Sequence, residues 1–498
     1  MNVNPITRLD YPDPDVIRVE DTYYMVSTTM HFMPGCEILQ SFDLVHWEHA
    51  TYVYETLDHT DAQQLKSGQN IYGQGMWAAS LRYHEGRFYI CFVANDTRKT
   101  YLYTSEKIDG PWKKQLIEGF YHDGSLLFDE DGRNYIVYGN DEIWITELNE
   151  DLTAPKKDGL HRLLVSDHKN PELGYEGSHI QKINGYYYIF LIHSLRDRWM
   201  RTEACFYSDS LEGEFTGGDV LCDDRGYCGQ GVAQGGIVDT PDGKWYAMLF
   251  QDSGAVGRLP ILLPVTWKDH FPFFGQNGHV PEEIEVHSTR PGYIYQPLVG
   301  SDDFCNGLLP RWQFNHDPDP RYYHLDALQG TYTITTREVC TELTQAVNTL
   351  TQRMSYPSCA AEVTVDASAL KEGDVAGLCA FQGCYAAVGI TKHHGKYEVL
   401  MLDKKEDGIL DMTEGTVVES HQMDFRLEAD FCNMKDEARC YYRVNKGDWL
   451  PIGTVHKLYF KLDHFTGCRF GLFCYAAEET GGSACFRDFK YYDVDEIS

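Results

Sequence analysis

A chain of 498 residues, 43% hydrophobic and 13% aromatic, exceeds the ~250–300 residues at which one core usually stops growing, so two packed units are expected. Its formal charge of −32 opposes polyphosphate and anionic lipid, and no run approaches the ~18 apolar residues of a membrane helix, which leaves neither nucleic acid nor membrane as an expected partner. The 15 cysteines form no CxxC pair and no metal-ligand spacing, which argues for reduced thiols over a disulfide framework. In chain order, residues 1–8 carry no basic start, apolar stretch or small-residue cleavage site, and the cytoplasm is the expected location. Nearly every later cue is β: short Tyr-, Phe-, Val- and Ile-rich runs broken by Asp-Gly, Asn-Gly and Glu-Gly turns.

Five of these runs align as an internal repeat: DPDVIRVEDTYYMV from Asp13, WAASLRYHEGRFYICF from Trp77, DGSLLFDEDGRNYIVY from Asp123, EGSHIQKINGYYYIF from Glu176 and QGGIVDTPDGKWYAML from Gln234. Each reaches a tyrosine (24, 89, 135, 188 or 246) eleven or twelve residues after its start. The starts are 64, 46, 53 and 58 residues apart, which suits four-stranded propeller blades with insertions. A five-bladed β-propeller over residues 1–296 is therefore predicted. Inner-strand starts converge on one axial opening, so Asp13, Trp77, Asp123, Glu176 and Gln234 should face one another. Beyond residue 300 the repeat stops, and alternating strands such as CAAEVTVDA, KYEVLML and RFGLFCYA predict a β-sandwich over 300–498.

Three carboxylates in one ring suit glycosidic hydrolysis, in which one carboxylic acid protonates the leaving oxygen and one carboxylate activates water or attacks the anomeric carbon. A third charge nearby raises a carboxyl pKa and can keep one group protonated near neutrality. Trp77 offers a face for a sugar ring, and Gln234 can read hydroxyls. Singly, Asp-Pro, Asp-Gly and a lone Trp are ordinary turn or core features. Three carboxylates at one repeat position are not, because converging unpaired charges cost several kcal/mol unless solvated or used.

The motifs Asn4-Pro5 with YPDPDVIRV, SFDLVHWEH at 41–49, GMWAAS at 75–80, HDGSLLFDEDG at 122–132, YEGSHIQKINGYYY at 175–188 and GRLPILLPVTW at 257–267 resemble glycoside hydrolase family 43, the β-xylosidases and α-L-arabinofuranosidases. The resemblance implies Asp13 as general base, Glu176 as general acid, and Asp123 as the residue that orients Glu176 and raises its pKa. It makes Arg258 the arginine holding the terminal sugar and Trp77 the wall of its pocket. It implies inversion at the anomeric carbon, with the two catalytic carboxyls about 6.5–9.5 Å apart. The second domain is similar to the family's concanavalin-like sandwich through DDFCNGLLPRWQFNHDPDP at 302–320, QAVNTLTQR at 345–353 and HFTGCRFGLFCYA at 464–476, and Phe465 is the expected contribution of that domain to the pocket. Many relatives carry histidine where this chain has Gln234, which weakens the case for a central metal.

The leading reading is an inverting exo-hydrolase that releases terminal β-D-xylose, α-L-arabinofuranose or both from xylan-derived oligosaccharides. No cofactor is expected to be required, calcium in the sandwich is left open as a structural ion, and homo-oligomerisation is left open too. Two alternatives stand beside it: an α-L-arabinofuranosidase or endo-arabinanase with little xylosidase activity, and a carbohydrate-binding propeller without catalysis.

Overall fold

The computed structural model describes residues 3–413 and 415–493. Twenty strands in chain order make five four-stranded antiparallel sheets, the blades of a β-propeller. Their innermost strands are Asp15–Val19, Met76–His84, Ser125–Phe128, Glu176–Ile183 and Val232–Asp239. Each repeat tyrosine falls on the next strand out, and the turn between them is set by local chemistry. In the fourth blade Ile183 pairs with Tyr186 across Asn184-Gly185, and both turn residues have positive φ (50° and 85°), as a two-residue hairpin whose twist matches its strands requires.

Each blade buries a face against the next, which produces five separate apolar clusters instead of one core. Val26 and Ile38 meet Leu81 and Ile90; Leu102 meets Leu126; Val137 meets Ile189; Phe190 meets Leu249. A fifth cluster, in which Met248 and Leu262 pack with Val16 and Met25, closes the circle between the last blade and the first. The N-terminal segment completes the ring by lying along the Arg258–Lys268 strand, where Asn4 exchanges two hydrogen bonds with the Leu262 backbone (2.7 and 2.8 Å). Around the axis, side chains of one inner strand accept backbone N–H groups of the next: Asp15 from Leu81, Ser80 from Leu126, and Ser125 from Ile180. Arg82 spans the channel to Asp15, Ser125, and the carbonyls of Leu126 and Ile180. These partners satisfy polar groups that a water-poor channel would otherwise leave unpaired.

The second domain is a sandwich of a nine-stranded and a seven-stranded sheet around its own core, which includes Trp312, Leu350, Val363, Phe425 and Phe486. The nine-stranded sheet takes an edge strand from the propeller: Phe32–Met33 pairs with Gln313–Asn315. Covering that edge with another part of the chain removes an open template for strand addition. The joint is tied by ion pairs as well, since Arg353 meets Glu37 at 2.8 Å with both side chains buried, and its Nε donates to the Asp10 carbonyl. Helix is confined, among the described residues, to three-residue 3₁₀ turns, as the scarcity of 3.6-residue periodicity predicts.

Candidate active site

At the repeat's starting position the strand ladder is interrupted in every blade. Asp13 and Asp123 lie two residues ahead of their inner strands, with φ of 53° and 48°. In the other three blades the register slips between Trp77 and Ser80, Glu176 and His179, and Ala233 and Gly236. Within those bulges Gly177 and Gln234 have φ of 63° and 62°. A left-handed residue cannot continue a ladder, so each side chain is turned out of the pleat. Glycine is required at 177 for a second reason: a Cβ there would lie 2.7 Å from the Gln234 side chain.

The ring of five is thereby assembled. Asp13 is buried; Arg258 Nη1 donates to its Oδ1 at 2.9 Å and the Thr28 hydroxyl to its Oδ2 at 2.6 Å. Asp123 accepts the Gly177 N–H at 2.9 Å, which ties it to the residue following Glu176. Glu176 is half-buried, and its Oε2 accepts from Asn140 Nδ2 at 2.7 Å. Gln234 is buried with its side chain against Gly177, and its N–H is held by Glu203 at 2.7 Å. Trp77 stands beside the His122 ring at 6.2 Å and the Phe465 ring at 5.4 Å.

Phe465 brings the second domain into the site. Its ring centroid lies 4.3 Å from the Arg258 guanidinium, so the sandwich covers the arginine that holds Asp13. The loop carrying it is clamped by Asp10, whose two carboxylate oxygens accept the N–H groups of Arg258 (2.8 Å) and Gly467 (2.7 Å). Cys468 N–H donates to the Ala255 carbonyl nearby.

Electrostatics distinguishes the acids. Burial pushes the Asp123 carboxyl up to about 6; the His122 cation opposes this, while the charges of Glu176 and Asp13 add to it. The Asp123 charge, against the effect of burial and with help from the Glu176 hydrogen bond, raises His122 to about 9. His122 Nε2 sits 3.4 Å from Glu176 Oε2 and 3.6 Å from Asp123 Oδ2, so the imidazole bridges the two carboxyl groups. Glu203, fully buried, is pushed well above the usual carboxylate range by burial, against the hydrogen bond it accepts from the Gln234 N–H. Sequence reasoning missed His122, Glu203 and Asp10. His122 alone carried a signal, as a titratable residue adjoining a ring carboxylate.

Among the described residues, His122, Asp123 and Glu176 form the one group of three metal-ligand side chains whose atoms lie within 4.8 Å of one another. In this group His122 already stands between the two carboxyl groups, and Glu176 Oε2 and Asp123 Oδ2 already accept from Asn140 and Gly177. Two residues on either side of Phe465 have buried donors without a partner among the described residues: Trp77 Nε1, and Arg258 Nε and Nη2. Unpaired buried donors gathered at one place are what a hydroxyl-rich ligand would satisfy.

A five-bladed propeller with three carboxylates at its axial mouth, an arginine-anchored acid and an aromatic cap from a concanavalin-like domain defines a carbohydrate-active hydrolase. The family profile for glycosyl hydrolases family 43 matches residues 3–272, and that for the beta xylosidase C-terminal concanavalin A-like domain matches residues 301–492. The chain belongs to glycoside hydrolase family 43. It is 26% identical to a beta-xylosidase of Formosa agariphila over 99% of this chain and 89% of that one. It is 24% identical to a non-reducing end alpha-L-arabinofuranosidase of Bacteroides ovatus, over 82% of this chain and 79% of the other. Among solved structures, a bifunctional GH43-CE protein of Bacteroides eggerthii superposes with a TM-score of 0.92 at 42% identity; the match covers 99% of this chain, which spans 64% of that one.

Proposed function

We propose that the protein is an inverting exo-glycosidase that removes terminal β-D-xylose from xylan-derived oligosaccharides and accepts α-L-arabinofuranose at the same site. The observation that carries this is the joint placement of Asp13, Asp123 and Glu176 at one opening, closed on one side by Phe465. Arg258 and Thr28 occupy both oxygens of Asp13 and fix its orientation as the general base that takes a proton from water. In Glu176, Asn140 holds Oε2, which leaves Oε1 to carry the proton delivered to the leaving oxygen. Asp123 fixes the backbone after Glu176 and sets a negative charge beside it. As the glycosidic bond breaks, the water oxygen bonds the anomeric carbon from the opposite face; Asp13 gains the water proton, Glu176 loses its own, and solvent exchange restores both. Aromatic closure by Trp77 and Phe465 favours a chain end over an internal unit. The names of the relatives, a beta-xylosidase and an alpha-L-arabinofuranosidase, support both activities.

The test gives purified protein xylobiose, p-nitrophenyl β-D-xyloside and p-nitrophenyl α-L-arabinofuranoside; inactivity on all three removes the reading. Asp13→Ala and Glu176→Ala should each lose about 10²- to 10⁴-fold in kcat. Glu176→Ala should suffer far less on a dinitrophenyl xyloside, whose leaving group needs no proton, whereas Asp13→Ala should not be spared. Proton NMR during the first turnovers on a β-xyloside should find α-xylose; β-xylose appearing first would mean retention instead.

A further inference from the structure

In the fourth blade, Glu176, Ile192 and Glu203 form one row across three strands. Arg201 pairs with Ser194 two residues beyond that row on the side of the opening, about 6–7 Å higher at the usual strand rise. The hairpin 195–200 that joins these two strands therefore lies at the end of the blade that carries the opening, in the same blade as the proposed general acid. Trp199, on this hairpin, is 45% exposed. A single exposed apolar side chain is ordinary on any protein surface. Trp199 differs in how it is supported. The Arg201 guanidinium lies 5.5 Å from its ring centroid and 5.1 Å from that of Phe250, and Phe250 in turn lies 5.4 Å from the guanidinium of Arg258. Arg258 holds Asp13. An unbroken series of rings and guanidinium groups thus runs from the reacting centre to an exposed indole. Arg201 is 9% exposed, is fixed by Asp252 at 2.7 Å, and has an Nε donor without a partner among the described residues. That unpaired buried donor beside an exposed ring is a second and independent mark of a polar ligand.

We propose that Trp199, backed by Arg201, is the platform for the sugar on the leaving-group side of the scissile bond. The ligand class is a β-linked pyranose, the next xylosyl unit of the chain. This rests on the reading of Asp13 and Glu176 given above. A xylopyranosyl ring has no exocyclic hydroxymethyl group, so it presents a flat C–H face that an immobile indole can cover while hydroxyls at its edge meet Arg201. An indole held by a guanidinium pays little ordering entropy on binding, which concentrates its effect on affinity.

The test compares xylobiose with β-D-xylopyranosyl fluoride, whose leaving group is too small to reach residue 199. In Trp199→Ala the ratio of kcat/KM on xylobiose to kcat/KM on the fluoride should fall about 5- to 10-fold, chiefly through KM, the size expected of one aromatic contact. Trp199→Phe should recover most of that ratio. A wild-type enzyme active on both substrates with a ratio that Trp199→Ala leaves unmoved removes the platform alone. A wild-type enzyme inactive on both removes the xylosidase reading, and the platform with it.

Discussion

Asp123 is a buried carboxylate whose pKa rises to about 6 because burial and two like charges outweigh one imidazolium. Between the unfolded value of about 3.9 and about 6 the folded chain holds a proton that the unfolded chain releases, so this group's contribution to stability improves as pH falls through that window. At neutral pH the ionised side chain therefore costs on the order of 1–3 kcal/mol. Asp123→Asn keeps an acceptor for the Gly177 N–H and removes the charge. It should raise Tm at pH 7 while lowering kcat about 10²-fold or more; lower stability with unchanged kcat would contradict the assignment. His122 acts on the same group in the opposite sense. The charges facing it are Asp123, Glu176 and Arg98, and in His122→Gln the Asp123 carboxyl loses its nearest cation. If Asp123 must be ionised for activity, the acid limb of kcat/KM moves to higher pH in this variant, by about one unit. The carboxylates were legible in the sequence because residue type and repeat position were enough to find them. The bridging role of His122 was not, because it depends on blades three and four standing side by side.

At the scale of elements, the alternation of strands and turns was readable, and all five inner strands formed where the repeat places them. The interruptions at their starts were hidden. Only glycine advertises a positive φ, so the left-handed Asp13, Asp123 and Gln234 leave no mark in composition, and the bulges that aim Trp77 and Glu176 leave none either. The clamp on the Phe465 loop was equally invisible, because Asp10 and Gly467 are 457 residues apart. Asp10→Ala strips the acceptor from two buried N–H groups at about 1–3 kcal/mol each, so a loss of roughly 2–5 kcal/mol is expected in denaturant unfolding. Because those groups belong to Arg258 and to the loop behind Phe465, KM should rise several-fold in the same variant under conditions where it remains folded. Asp10→Asn, which keeps one acceptor oxygen, should fall between it and the wild type.

The whole molecule depends on a joint between its two domains that also carries an acid sensitivity. His31 from the propeller packs 4.9 Å from His316 and 4.9 Å from His464, both from the sandwich, and Tyr72 stacks on His464 at 4.8 Å. All three imidazoles are buried, and both ring nitrogens of His31 are without a partner among the described residues. Burial, reinforced at His31 by the other two imidazoles and Arg469 and at His316 by His464, holds both well below the ordinary imidazole range, and burial with Arg469 lowers His464 to about 3. A depressed histidine binds its proton only after unfolding. Its contribution to stability is complete above the unfolded pKa of about 6.5 and is lost progressively as pH falls below it. Each such group should cost about 1.4 kcal/mol per pH unit in that window. His122 and Asp123 act in the opposite sense, because each holds a proton in the folded chain that the unfolded chain releases, so the imidazoles of the joint are read from a difference between variants. His31→Leu gives up no hydrogen bond to protein and removes one of the three protons. Its stability relative to the wild type should be constant from pH 8 to 7 and should grow by about 1.4 kcal/mol per pH unit from 6.5 to 5. A difference that stays constant from pH 7 to 5 would show that His31 does not contribute to an acid limit of the joint.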